Sequence, residues 1–272
     1  MSKEKIMLPY KILLPSSKRV PILLSIPHCG VEFPEEIKNE YKSGMRQAPD
    51  DTDWFVHRLY DFAPAMGITI IHAVYSRWVI DLNRDPQSKP LYTDGRIITP
   101  LCPTTDFFGT PIYNDERKEI SLAEVNRRTE IYYQPYHKKL NELRLDLRSE
   151  FGKVLLWECH SIRQLVPTIH KDKFPDLILG DADGTSASAE ISETALSTLK
   201  STRYEVNYNH PFKGGYITRQ FCNPKNNEHA LQLEMSKVNY MDDSETKYDD
   251  VRAGEMRKLL QKTLTGLSKI LN

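Results

Sequence analysis

Residues 154–163 read VLLWECHSIR. The first six, apolar but for Glu158, form a run of strand length, the pattern of a strand covered on both faces and not of one with a wet side. The run ends on Cys159, His160 and Ser161. In α/β sheets ligands bind where strands end. The stretch therefore predicts both a sheet enclosed by helices and the place of its site.

The pattern recurs on either side. VPILLSI (20–26) is a second buried run, stopped by Pro27 and followed at once by His28, Cys29 and Gly30. ITIIHAV (68–74) is rich in β-branched residues and predicts a strand. Between them a helix is expected from Asp51, with Phe55, Leu59, Phe62, Ala63 and Met66 on one face and Gly67 as its stop. RWVIDLN (77–83) predicts a further strand, leading into a loop from Arg84 to Asn114 without a clear period, the kind of long segment that serves a site. A helix is expected from Ser121 to Phe151, with Glu124 completing a capping box and Pro135 kinking or splitting it. Strands at DLILG (176–180), YEVNY (204–208) and HALQLEM (229–235) alternate with helices at 186–200 and from Asp249 onward. This alternation predicts an α/β fold over residues 1–272 as one domain, with a largely parallel or mixed sheet between helical layers.

Composition narrows the function. Lys plus Arg and Asp plus Glu number 37 each, and no long block of like charge occurs. That balance supplies no footprint for nucleic acid or an anionic membrane, so a small-molecule partner is expected. The opening residues lack a secretory pattern and no apolar stretch is long enough to span a bilayer, so the expected location is cytoplasmic. Four cysteines stand far apart with no C-x-x-C pair and read as reduced thiols.

Polar groups gather at four predicted strand ends: His28; Asn83 and Arg84; Cys159, His160 and Ser161; and Glu234. Two histidines with a carboxylate from the intervening helix start, Asp51 or Asp53, supply the donors of a catalytic zinc that keeps a position for water. Each group also has a plainer reading. A strand-end histidine can be structural, Asp51 can be an N-cap, Arg84 a solvated side chain, and Glu234 an edge-strand residue facing water. Arg77, Arg84, Arg163 and Arg219 near predicted loops suit a substrate carrying carboxylates. A thiol mechanism needs a cross-pair, Cys29 with His160 or Cys159 with His28, because neighbouring side chains on an extended segment point apart.

Six motifs in order, SIPHCG (25–30), DTDWFVHRLYDF (51–62), YSRWVIDLNRD (75–85), ECHSIR (158–163), FKGGYITRQF (212–221) and ALQLEMSKVNYMDD (230–243), resemble the N-formylglutamate amidohydrolase (N-formylglutamate deformylase) family. That family is related to the zinc carboxypeptidases. The resemblance implies a three-layer α/β/α sandwich of the zinc-carboxypeptidase-like (phosphorylase/hydrolase-like) kind, with one zinc ion (Zn2+) at the C-terminal edge of a mixed sheet. It implies His28, Asp51 and His160 as metal ligands. The carboxypeptidase pattern has a glutamate three residues after its first histidine, where this chain has Val31, and Glu32 comes one residue late; the ligand is therefore placed at the helix start, on Asp51 in preference to Asp53. The resemblance further implies Glu234 as catalytic carboxylate and Asn83 and Arg84 as binders of substrate carboxylate, with Arg77 or Arg219 assisting. The implied reaction is zinc-dependent hydrolysis of N-formyl-L-glutamate to formate and L-glutamate, in histidine degradation. Alternatives are a zinc hydrolase of another N-acyl amino acid, a cysteine-dependent amidohydrolase, and a non-catalytic amino-acid-binding protein.

Overall fold

A computed structural model describes residues 7–87, 89 and 99–271. Its centre is a seven-stranded mixed sheet of order β1-β3-β2-β4-β7-β5-β6. The strands are β1 (Tyr10–Leu13), β2 (Ile22–Ile26), β3 (Thr69–Ala73), β4 (Val154–Ile162), β5 (Leu177–Gly180), β6 (Val206–Tyr208) and β7 (Glu228–Ser236). The helices are α1 (Ser43–Gln47), α2 (Val56–Leu59), α3 (Leu122–Arg128), α4 (Gln134–Phe151), α5 (Ala189–Lys200), α6 (Tyr216–Gln220) and α7 (Asp250–Leu271). Strands β3, β2, β4 and β7 run parallel, while β1 and β5 join them antiparallel.

The period-two alternation of each central strand sorts its side chains between two cores. Leu155, Trp157 and Cys159 of β4 and Leu231, Leu233 and Met235 of β7 pack towards α2, α5 and α7. Val154, Leu156 and Ala230 pack towards α4 and the irregular segments around Val79 and Ile112. The second face is continued at the strand ends by Glu158 and His160, with Gln232 and Glu234 beside them in register. One face is thus apolar as far as Cys159 and Met235, and the other turns polar where the parallel strands finish.

Three expectations about local structure are corrected. The helix expected from Asp51 exists only as α2 and a 3-10 turn at Ala63–Met66, because Phe55 adopts a left-handed φ of 62° that breaks any helix before it. Left-handed backbone is unusual for so bulky a residue, and here it follows a turn in which Asp53 N donates to the His28 carbonyl at 2.9 Å. The strand expected at 77–83 is an irregular buried segment, held by bonds such as Asp81 N to the Leu101 carbonyl at 2.8 Å. The expected loop that follows falls partly, at residues 88 and 90–98, outside the described residues. Pro135 causes no break: α3 runs through a π turn at Thr129–Tyr133 into α4, so the missing N–H is absorbed by a widened turn in the helical rod. Ser121 caps α3 by accepting from Glu124 N, as the capping box predicts.

Candidate metal centre

His28 follows β2, His160 lies near the end of β4, and Asp53 projects from the turn before α2. Their donor atoms lie within 4.8 Å of one another, and all three residues are buried. Asp53 Oδ2 is 3.0 Å from His160 Nδ1 and 3.8 Å from His28 Nδ1. The structure therefore brings Asp53, and not the expected Asp51, against the histidines. Asp51 points elsewhere, accepting from Trp78 Nε1 at 2.8 Å and from Phe107 N at 3.0 Å.

Both histidines are held from behind by carboxylates. His28 Nε2 meets Asp81 Oδ1 at 2.8 Å, and His160 Nε2 meets Glu158 Oε1 at 2.8 Å. With Nε2 of each ring committed to its carboxylate, Nδ1 is the atom turned towards Asp53; on His160 it donates to Asp53 at 3.0 Å, and a metal would take the place of that proton. This is the outer arrangement by which carboxylates fix the tautomer of metal-binding histidines. Asp81 also takes Arg77 Nη2 at 2.6 Å, and Glu158 also takes Thr218 N at 3.1 Å and the Thr218 hydroxyl at 2.5 Å. Sequence reasoning passed over Asp81 and Glu158. Their only signal was a carboxylate inside an otherwise apolar run, the feature that drew attention to Glu234.

Two imidazole nitrogens and one carboxylate oxygen, buried and converging, form a donor set suited to zinc with room for a further ligand. The electrostatics agree. Burial opposes ionisation of Asp53, but the hydrogen bond and charge of His160 outweigh it and hold the carboxyl low. Burial also works against protonation of His160, yet Glu158 and Asp53 raise it well above the ordinary histidine range. Burial and the Arg77 charge lower His28. Asp53 and Glu158 thus share the charge of His160, while Asp81 is paired with Arg77.

These groups face a cavity of about 120 Å³, lined also by Arg77, Asn83, Arg84, Phe107, Phe212 and Glu234. Glu234 stands beside His160 in the β4–β7 register. Burial above all, with the Asp53 charge adding and that of His160 opposing, pushes its carboxyl up to about 8. Asn83 places Nδ2 3.0 Å from His160 Nε2 and accepts from Ile217 N at 2.8 Å. Arg84 donates to the Thr99 hydroxyl at 2.9 Å, and its main-chain carbonyl accepts from Tyr133, a residue of the π turn, at 2.8 Å. Gly215 is needed for this packing, since a Cβ there would sit 2.2 Å from Asn83 Nδ2.

Two expected arginines lie apart from the cavity wall. Arg219 donates its Nε to the Gly214 carbonyl at 3.1 Å, and Arg163 pairs with Asp50 and Glu245. The thiols are apart as well. Cys159 occupies the opposite face of β4, in the core with Tyr60 and Trp157, and Cys29 packs in the same core. Burial pushes both thiols far above the range in which a thiolate forms. The cross-pairs that a thiol mechanism needs do not form.

The fold and the cavity together define an α/β protein with a polar pocket at the ends of its parallel strands and a His–Asp–His group that could hold a metal ion. The chain belongs to the N-formylglutamate amidohydrolase family, whose model matches residues 20–241. N-formylglutamate deformylases of Pseudomonas putida and Pseudomonas aeruginosa are each 38% identical to it, over 86% and 83% of this chain and 87% and 84% of their own lengths. The crystal structure of N-formylglutamate amidohydrolase from Ralstonia eutropha JMP134 superposes with a TM-score of 0.78 at 27% identity, covering 97% of this chain and 98% of that one. A gene product of Agrobacterium tumefaciens shares the fold at a TM-score of 0.71 and 17% identity, over 95% of this chain and 96% of its own. No helix among the described residues is long and apolar enough to cross a membrane.

Proposed function

We propose that the protein hydrolyses N-formyl-L-glutamate to formate and L-glutamate in histidine degradation, using one zinc ion held by His28, Asp53 and His160. The observation that carries this reading is the His28–Asp53–His160 group, in one cavity with Glu234 and two arginines, in a chain 38% identical to deformylases. A zinc ion in that group supplies a Lewis acid that polarises the formyl oxygen and makes water easier to deprotonate.

The chain's own residues do the rest. Arg77 and Arg84, at one end of the cavity around Asp81, bind substrate carboxylate and set the formamide against the cluster. Glu234 takes a proton from the attacking water at its carboxylate and delivers it to the amide nitrogen as the C–N bond breaks, which yields formate and a free amine. Burial favours the neutral form of Glu234 against the charges of His160 and Arg77, and a cation held by the neighbouring cluster would favour the carboxylate that serves as base. Asp81 and Glu158 keep both imidazoles in the tautomer that presents Nδ1.

Metal analysis of the purified protein, combined with turnover of N-formyl, N-acetyl and N-succinyl amino acids, tests the reading. The expected result is stoichiometric zinc, activity lost on chelation and restored by zinc, and preference for N-formylglutamate. Undiminished activity without metal overturns the mechanism, and equal or better turnover of a non-formyl substrate overturns the substrate.

A further inference from the structure

Asp51 is buried two residues from a metal donor, yet both of its carboxylate oxygens are turned away from the cluster. One accepts from the Trp78 indole and the other from the Phe107 main chain. Each partner lies on a segment that builds the cavity: Trp78 directly follows Arg77, and Phe107 is part of the wall. The Arg77 guanidinium lies over the Phe107 ring, 4.6 Å from its centre, and one of its nitrogens donates to Asp81. The Thr168 hydroxyl holds the Phe107 carbonyl. Asp51 is thus a single anchor for the ring on which Arg77 rests and for the residue next to Arg77 in the chain.

We infer that Asp51 is a positioning residue for substrate binding: it fixes Phe107 and Trp78 so that the Arg77 guanidinium is already aimed into the cavity before substrate arrives. The inference rests on the proposed role of Arg77 as a carboxylate binder. An arginine left to itself must give up much rotamer freedom to form one fixed contact. Holding it in advance between Asp81 and an aromatic face removes that loss from the binding step. Because the carboxylate of the substrate is remote from the bond that breaks, and Arg84 still holds it, loosening Arg77 acts mainly on KM and much less on kcat. A side-chain amide in place of this carboxylate has one acceptor oxygen for two donors, so Asp51→Asn releases either the indole or the loop.

The test is steady-state kinetics of Asp51→Asn and Phe107→Ala on N-formylglutamate, with the zinc content of each protein measured alongside. The expected result for Asp51→Asn is a KM raised about tenfold or more, with kcat changed less than about threefold and zinc equal to wild type. Phe107→Ala should raise KM as well, and the double variant should be no worse than the poorer single one, as for two residues acting through one contact. Unchanged KM in either single variant, or loss of zinc in Asp51→Asn, overturns the inference. If wild-type protein leaves N-formylglutamate intact, the proposed substrate falls, and the inference is then decided by a crystal structure of Asp51→Asn. A guanidinium moved off the Phe107 ring supports it, and one that has not moved overturns it.

Discussion

At the residue scale, the site depends on which atom of each side chain is left free. Asp81 and Glu158 are each committed to a histidine, whereas Glu234 lies beside the cluster with Gln232 Nε2, 3.3 Å away, as its neighbour on the strand. Glu234→Gln keeps the shape and removes the proposed base, so kcat should fall by roughly 10²–10⁴-fold with bound metal unchanged; retained activity in a stopped assay of formate release would assign the base elsewhere. Asp81→Asn tests the outer layer. Asparagine can still contact His28 but no longer stabilises its Nε2–H charge distribution or balances Arg77, and zinc affinity measured by competition with a chelator should drop roughly 10–100-fold. Sequence reasoning reached His28, His160, Asn83, Arg84, Arg77 and Glu234, all of which line the cavity: His28, His160 and Glu234 follow or close runs that are strands, whereas Asn83 and Arg84 follow a run that is buried without being one. It preferred Asp51 to Asp53 because Val31 stands where the carboxypeptidase pattern has its glutamate, which moved the acidic ligand to the start of the expected helix. The left-handed turn at Phe55, which decides where each acid points, has no signature in a bulky aromatic side chain.

At the element scale, strands β2 to β7 were legible in the sequence, most of them as apolar runs, and β1 was not, since it has only four residues, Lys11 among them, and none is buried. The segment 77–83 misled for a physical reason: it is buried like a strand, but its main-chain groups are satisfied by loop partners and not by a ladder. The first turn of α3 carries its own prediction. Glu124 receives Arg127 and the fully buried Arg128, whose guanidinium also donates to Tyr41, Tyr113 and the Val79 carbonyl. The Arg127 hydrogen bonds, against a smaller opposing effect of burial and with help from Arg128, lower the Glu124 carboxyl to about 2. A lowered carboxyl stabilises the fold above its unfolded value of 4.5, and that contribution disappears as pH falls from there towards 2. Glu124→Gln should therefore cost roughly 1–3 kcal/mol at neutral pH, discounted for partial exposure, and the difference from wild type in urea melts should close by about pH 2. A constant difference across that range would remove the ion pair from the account.

At the scale of the whole molecule, the metal donors come from three places that only the folded sheet brings together, so a bound ion stabilises the native state by linkage. Zinc at a hundredfold excess over its dissociation constant adds about 2.7 kcal/mol. Chelation should lower the melting temperature by about 2–4 °C for each kcal/mol so lost, read by calorimetry; identical melts with and without chelator would show that no ion binds the native state. The order of strands has a further consequence, for synthesis of the chain. β7 is the last strand made, yet it sits between β4 and β5. A ribosome that has released β1 to β6 has made all three metal donors, but the two halves of the sheet still face each other across an empty lane, with the edges of β4 and β5 unpaired and open to other chains. The proposed base and protection from aggregation therefore arrive together, when the strand carrying Glu234 slides into that lane.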